Sequence, residues 1–525
     1  VLNNISAPIA VWLLERRFWL RVLFCFIGGA LGALSLAPIS WPVFFFIGFM
    51  PAAFYLRHAD GLKHAFFYAF FYALGFHIAG LYWISASLFI DIARYIYVLP
   101  FSLVALPSWL ALLFSLGGLA AHPFRHRPVF HAVFLALMIF ITEVARGYLL
   151  TGFPWNLFGS IWADTLVMAQ STSLIGVYGL TLLTLLAASL SSLLFEKTTR
   201  AGLGLITLSW AVLSGLALWG DIRLSNYTTQ YDDHVRLRLV QPGITQEERR
   251  SFEERMMSLG RLAQLSRQKS DTPPTHIIWA ETAVPDYIAL DADLRRALAK
   301  LVPQNGVLIT GTPGKKVEGE QLSYSNSLAI LNHDAAIVGW YDKHHLVPFG
   351  EFIPLRGLLK MMPVATDVIG ARGDFSPGIG PRTLRTAGFP PFSPLICYEA
   401  IFSGHVTDKN DPPSLLLQIT NDAWFGNTSG PYQHLAQARL RAIEEGLPLV
   451  RAANSGISTV IGPMGQSEAE LPLGVTGELD ARLPLKLSQP TLFSQTGNTP
   501  LFAIMAVLSI VLAAFGVFAN CKKQG

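Results

Sequence analysis

Three short stretches in the second half of the chain carry residues able to do chemistry together: Trp279-Ala-Glu281-Thr, Tyr341-Asp-Lys343-His-His-Leu-Val-Pro-Phe-Gly-Glu351 and Leu395-Ile-Cys397-Tyr-Glu399. They supply a carboxylate, an ammonium, further carboxylates and a thiol. That set suffices for acyl transfer through a thioester, with Glu281 as base, Lys343 as oxyanion stabiliser and Cys397 as nucleophile. Each stretch lies beside an apolar, strand-like run. A carboxylate that follows His-Ile-Ile-Trp-Ala emerges from a buried strand, whereas a surface acid or helix cap would not. A thiol at a strand end becomes a useful nucleophile when a neighbouring base or cation lowers its proton affinity from about 8.5. Glu351 and Glu399 are placed to orient these groups.

Competing chemistries fit less well. Of the three cysteines, Cys25 lies inside an apolar run and Cys521 follows the last one, so neither is placed to bridge Cys397. Without CxxC spacing, a disulfide framework or a zinc–cysteine site is not expected. His344 and His345 have no partners at zinc spacing, so no metal is expected either. Gly311-Thr-Pro-Gly-Lys-Lys316 fails the GxxxxGK[ST] spacing of a phosphate loop. No cofactor is called for, and a net charge of only +4 gives no reason to expect nucleic acid.

The elements that must position these residues fall into two classes. Hydrophobic residues make up 52% of the 525 and charged residues 14%, well below a soluble average. The deficit lies between Val22 and Leu218, whereas Asp221 to Gln489 has ordinary soluble composition. Apolar segments at 18–38, 41–56, 64–84, 97–121, 129–150, 166–195, 201–220 and 499–519 approach the roughly 20 residues a bilayer crossing needs. The second is short enough to be re-entrant, and Gln170 to Ser173 suggest that the sixth begins outside the membrane. Counted in this way, roughly eight spans return the chain to its starting side. The expected division is a helical membrane domain over 1–220, a globular domain over 221–490, and a last span with a short tail over 491–525.

Basic residues give the orientation. Arg16, Arg17, Arg21, Arg57, Lys63, Arg125, Arg127, Lys197, Arg200, Lys522 and Lys523 all fall on one side, and the opposite short loops hold only Arg94 and Arg146. Both termini are then cytoplasmic and the globular domain is external, which in a bacterial inner membrane means periplasmic. The alternative of a cleaved signal peptide ending near Gly-Ala-Leu-Ser-Leu-Ala is set against a run longer than a usual h-region with further spans at once behind it. Loops 84–96 and 148–163, the latter with Phe153-Pro-Trp155, mix aromatic and apolar residues. They suit either interfacial packing or a lining for lipid access.

In the globular part, strand patterns are expected at Arg236–Gln241, His276–Ala280, Gly306–Gly311, Ser327–Leu331, Ala336–Tyr341, Phe392–Cys397, Leu415–Thr420, Leu449–Ala452 and Ser458–Ile461. Helical patterns at Glu247–Ser270, Ala289–Leu301 and Tyr432–Gly446 interleave with them, which argues for a layered α/β domain.

The motifs in order, W-x-E-T, Y-x-K-x-x-L-V-P-F-G-E and C-Y-E, followed by Thr420-Asn-Asp-Ala-Trp-Phe-Gly426, resemble the nitrilase (carbon–nitrogen hydrolase) superfamily. Together with the membrane array, they are similar to its membrane-embedded branch, the apolipoprotein N-acyltransferase family. The resemblance implies a nitrilase-like αββα sandwich with a Glu281, Lys343, Cys397 triad and an oxyanion contact from the backbone N–H of Tyr398. It also implies a phospholipid acyl donor and a diacylglyceryl-modified apolipoprotein acceptor in the last step of lipoprotein maturation. Trp424, Phe425 and Trp155 are the candidate substrate contacts. The run Val240-Gln-Pro-Gly-Ile-Thr-Gln-Glu-Glu-Arg-Arg-Ser-Phe departs from the family pattern: the usual tryptophan is missing, so no contact of that residue carries over.

Two other readings compete. A tethered amidase would use the same triad with water as acceptor, but one anchor would suffice for it. A transporter would need intramembrane ionisable residues lining a path, and only a few, such as Asp91, Glu143 and Asp164, offer themselves, most near span ends.

Overall fold

The computed structural model describes residues 12–91, 99–245, 248, 251–318, 321–354, 356, 374–508 and 511; Arg94, Glu247, Arg250, Cys521, Lys522 and Lys523 lie outside them. The chain divides into two compact units, one of Val1–Tyr227 with Thr491–Gly525 and one of Thr228–Pro490.

The first unit is helical, with α1 at Phe18–Gly32, α2 at Val43–Arg57, α3 at Leu62–Leu81, α4 at Leu99–Ala121, α5 at Pro128–Arg146, α6 at Thr172–Ser191 and α7 at Arg200–Ser225. Among the described residues, six stretches are long and apolar enough to cross a membrane: Phe18–Ser35, Leu62–Leu88, Leu99–Phe124, Pro128–Arg146, Thr172–Phe195 and Arg200–Ser225. The second expected span, α2, is short, as is Thr499–Leu508, the described part of the last. The sixth expected span divides. A separate helix at Leu166–Ala169 precedes α6, which is itself bent at Gly176, where φ is +64°.

With no hydrophobic drive between helices in lipid, close backbone approach does the packing. A Cβ at Gly29 of α1 would lie 1.9 Å from the carbonyl oxygen of Tyr72, and one at Gly75 of α3 would lie 2.1 Å from that of Phe26. The first helix is therefore an integral member of the bundle. Glu143, a residue the transporter reading would need, is buried and bonded through both oxygens by Arg146 at 2.8 Å.

Among its described residues, the second unit holds twelve strands. They are β1 Tyr231–Gln241, β2 His276–Trp279, β3 Val307–Glu318, β4 Gln321–Asn332, β5 Ile337–Asp342 and β6 Leu384–Thr386. The others are β7 Phe389–Ile396, β8 Leu415–Thr420, β9 Leu449–Ala453, β10 Ser458–Ile461, β11 Ser467–Leu471 and β12 Gly477–Pro484. They form two six-stranded sheets, ordered β12-β1-β2-β3-β4-β5 and β11-β10-β9-β8-β7-β6. One apolar core joins their facing surfaces, with Leu237, Leu239, Ile278, Ile309 and Ile330 meeting Phe392, Ile396, Leu417, Ile419 and Val450. Helices α8 (Phe252–Ser266) and α9 (Ala292–Ala299) cover the outer face of the first sheet through Leu259, Leu262 and Leu298. Helix α10 (Gly430–Glu445) covers the second through Leu435, Ala438 and Ala442. The result is an αββα sandwich.

The nine expected strands all occur. Three further strands, β6, β11 and β12, have no counterpart among the expected ones, and each is an edge strand. β11, Ser467-Glu-Ala-Glu-Leu471, carries charge and little apolar alternation because bare edges invite pairing with other chains, whereas β12 does alternate, with Leu479, Ala481 and Leu483 on the core face. The expected strand at Gly306–Gly311 continues to Glu318 as the first arm of a long hairpin, so Gly311-Thr-Pro-Gly-Lys-Lys316 is strand and forms no phosphate loop.

Candidate active site

Glu281 emerges from the C-terminal end of β2, a short strand buried on both faces. The turn there is tight: Thr282 has φ +49°, and a Cβ on Gly311 of the neighbouring β3 would come within 2.6 Å of the Glu281 Cα. Only glycine lets β3 pass so close. The carboxylate is fixed at both oxygens. Asn326 Nδ2 donates to Oε1 at 2.7 Å and the backbone N–H of Asn421 donates to Oε2 at 2.8 Å.

Lys343 follows β5 directly. Its backbone N–H donates to the carbonyl of Asn326 at 2.8 Å, and its own carbonyl accepts from Gly378 at 2.8 Å. The side chain is 1% exposed, an extreme burial for a lysine that must therefore be matched by charge. Its Nζ lies 2.9 Å from Glu351 Oε2 and 4.0 Å from Glu281 Oε1. Glu351 is held in turn by the backbone N–H of Val347 at 2.8 Å and by Asn326 Nδ2 at 2.8 Å. The Asn326 amide thus donates one hydrogen to each carboxylate.

Cys397 ends β7 and opens the 3₁₀ turn Cys397–Ile401, with φ +53° and a partly exposed side chain. Glu399 is buried under this turn. It accepts from the backbone N–H groups of Ile396 at 2.7 Å, His344 at 2.8 Å and His345 at 3.2 Å, and from the Tyr341 hydroxyl at 2.9 Å. One carboxylate thereby ties the loop that carries Lys343 to the turn that carries Cys397. His344 Nδ1 also meets Glu399 and the Tyr341 hydroxyl, each at 2.7 Å, so that nitrogen supports the loop. No group able to hold a metal occurs among the described residues.

The electrostatics follow from this burial. Desolvation lifts the Glu281 carboxyl above its ordinary value, with Lys343 pulling the other way. Burial alone would depress Lys343, but Glu351, Glu281 and Cys397 together raise it, so it stays an ammonium. Burial and then Glu281 push the Cys397 thiol up, while Lys343 draws it down. Glu399 goes the opposite way: burial would raise it, but the hydrogen bond and charge of His344 and the N–H of Ile396 hold it below the usual range. Two buried carboxylates, one ammonium and a thiol therefore share a site in which a proton on sulfur has a raised-affinity carboxylate to move to.

The remaining sequence candidates separate. Tyr398 is buried, its ring packed on Phe402 at 5.2 Å. Trp424 and Phe425 lie in the 3₁₀ turn Asp422–Phe425; Trp424 is exposed and Phe425 half-buried. Trp155 belongs to the helical unit, where it is buried against Trp83 at 4.7 Å while its carbonyl accepts from Arg146 at 2.8 Å. Sequence reasoning missed Asn326 and Asn421. A signal for the first did exist: Ser325-Asn326-Ser327 is a polar run inside a strand that continues as Leu-Ala-Ile-Leu, and buried polar groups need partners.

Comparison with known proteins bears on both units. A family model described as the apolipoprotein N-acyltransferase N-terminal domain matches residues 28–190, and one described as carbon-nitrogen hydrolase matches 238–491. A relative from Rhodopseudomonas palustris, an apolipoprotein N-acyltransferase, is 37% identical over 528 residues that cover 97% of this chain and 98% of its own. Another of the same name from Bradyrhizobium diazoefficiens is 36% identical over 511 residues, covering 94% and 95%. A solved amidase from Nesterenkonia sp. aligns at 21% identity with a TM-score of 0.35, covering 49% of this chain and 93% of its own.

Proposed function

The chain belongs to the apolipoprotein N-acyltransferase family, an acyltransferase family of lipoprotein maturation, and from that membership we propose how its own residues carry the transfer. Cys397 is the nucleophile, Glu281 the general base and Lys343 the oxyanion stabiliser. The observation that carries this reading is the convergence of all three at strand ends of facing sheets, with Lys343 buried 4.0 Å from Glu281.

Glu281 takes the thiol proton as Sγ attacks the acyl carbon of a phospholipid ester. The carbonyl oxygen becomes an oxyanion, stabilised by the Lys343 ammonium and the backbone N–H of Tyr398. Collapse breaks the carbon–oxygen bond, and Glu281 returns its proton to the leaving lysophospholipid oxygen. The thioester remains on Cys397. The α-amine of a diacylglyceryl-cysteine then attacks, Glu281 accepts a proton from the nitrogen, and the sulfur leaves to regain one. An amide is more stable than the ester it came from, so the sequence runs without a nucleotide or other cofactor. Glu351 and Glu399 act through Lys343 and the Cys397 turn. Exposed Trp424 and neighbouring Phe425 serve as substrate contacts, while Trp155, buried in its own unit, keeps the 153–156 loop packed rather than presenting its ring to substrate. The membrane domain takes in 1–227 with 491–525 and the periplasmic catalytic domain 228–490, a boundary seven residues past the expected 220 because α7 runs on to Ser225; both termini are cytoplasmic.

The test is a chase. A labelled acyl-enzyme, once isolated, should pass its acyl group to a diacylglyceryl-cysteinyl peptide faster than to water. Release mainly as free fatty acid would favour the amidase-like alternative. Topology is checked by reporters, expected to behave as periplasmic after Leu224 and as cytoplasmic after Lys523.

A further inference from the structure

Behind the nucleophile lies a second buried polar cluster that the acyl-transfer steps do not use. Cys397 adopts φ +53°, a left-handed conformation that is unfavourable for a non-glycine residue and persists only where its surroundings over-determine it. Its carbonyl oxygen lies 3.0 Å from Gln418 Nε2, which donates to it, and 3.0 Å from His434 Nε2. Gln418 stands on the adjacent strand β8 and His434 on α10; both side chains are fully buried. The two nitrogens are 3.1 Å apart. His434 Nδ1 lies 3.0 Å from Asp422 Oδ1, Arg451 Nη2 donates to Asp422 Oδ2 at 2.6 Å, and Arg451 Nη1 donates to Gln418 Oε1 at 2.5 Å. Gln418, Arg451, Asp422 and His434 therefore close a ring against one backbone oxygen.

Burial would raise Asp422, but Arg451 and His434 hold it at about 2, so it is an ionised acceptor. Burial and Arg451 keep His434 toward its neutral form. With Nδ1–H on Asp422, Nε2 accepts one amide hydrogen of Gln418 and the other reaches the Cys397 carbonyl; with the proton on Nε2, the ring itself donates to that carbonyl beside Gln418. His434 does not face the sulfur in this arrangement.

We infer that Gln418 and His434 are positioning residues for the nucleophile: their side-chain nitrogens, packed against each other, fasten the Cys397 carbonyl so that the thiol stays in the field of Glu281 and Lys343. The inference rests on Cys397 being the nucleophile. It predicts that loosening the carbonyl slows acylation without weakening donor binding, since small misplacements of a reacting group can cost about 10²-fold.

The experiment is single-turnover acylation of the purified full chain by labelled phospholipid, with the label mapped by peptide and folding checked by thermal melting. Gln418→Glu keeps the shape and the Arg451 bond but replaces the donor with an acceptor. It should slow labelling of Cys397 by about 10²-fold with donor KM unchanged. His434→Leu should do the same, and His434→Gln, whose amide oxygen can accept from Gln418, should recover most of the rate. A folded Gln418→Glu or His434→Leu that labels Cys397 at the parent rate overturns the inference, as does a His434→Gln no better than His434→Leu. If His434→Leu fails to fold, Gln418→Glu decides alone, and if that fails too, His434→Gln against Gln418→Met does. Label on the parent at a residue other than Cys397 would instead overturn the nucleophile assignment itself.

Discussion

In the helical unit, Arg146 and Glu143 form a buried pair; in the globular unit, Lys343 lies 2.9 Å from Glu351 and 4.0 Å from Glu281. The ingredients are alike, but their use differs. Arg146 donates to both Glu143 oxygens at 2.8 Å and to the carbonyls of Phe153, Trp155 and Asn156 at 2.9, 2.8 and 3.2 Å. One charge meets one charge, and the leftover N–H groups pin a loop. The Lys343 site has two carboxylates for one ammonium and a thiol beside them, and burial raises both Glu281 and Cys397. A closed pair holds structure; the Lys343 site has a carboxylate beyond the one that balances its ammonium, and the proposed mechanism uses it as the proton acceptor. Burial of charge alone does not mark a site.

Substitutions can break that contrast. Glu281→Gln removes the proton acceptor and should slow acyl-enzyme formation by about 10²–10⁴-fold. Lys343→Met removes one oxyanion donor and should cost about 10²–10³-fold. Both are read by single-turnover adduct kinetics, and Lys343→Met acylating at the parent rate would make Lys343 structural. The pH profile sharpens the point. Glu281 works only when ionised, and burial raises its proton affinity, so the acid limb of acylation should lie above the ordinary carboxylate value of about 4.3. In Glu281→Gln that limb should vanish from the residual rate. Arg146→Met, at the other end of the comparison, should leave the rate per folded molecule unchanged. Its cost should appear in stability, about 3–5 kcal/mol for a buried charge left unpaired. Denaturant melts in detergent alongside turnover per folded molecule would separate the two effects.

The parts of the site visible in the sequence are those whose residue types are costly to bury without reason. Glu281 after His-Ile-Ile-Trp-Ala, and Lys343 and Cys397 at the ends of apolar runs, stand out because strand interiors do not need them. Asn326 gives a weaker signal, since its polar run between serines also reads as an exposed strand face; β3 and β5 on either side of β4 decide that it is buried. Gln418 and His434 are hidden for a related reason: their common partner is a backbone oxygen, which has no signature in sequence. The central strands are readable from apolar content and the edges β6 and β11 are not, being short or polar; β12 is legible, since Leu479, Ala481 and Leu483 alternate onto the core, although it has no counterpart among the expected strands. The helix α8 lies within its expected range but begins later than its pattern suggests, at a capping box of Ser251 and Glu254.

The central claim is that acyl transfer passes through a thioester on Cys397. Intact-mass analysis of the purified full chain after exposure to phospholipid, run beside Cys397→Ala, tests it most directly. The predicted result is one acyl addition on the parent, located on the peptide that carries Cys397 and released by hydroxylamine, and no addition or transfer in the folded variant. Acylation of the diacylglyceryl-cysteinyl acceptor by Cys397→Ala at the parent rate would contradict it.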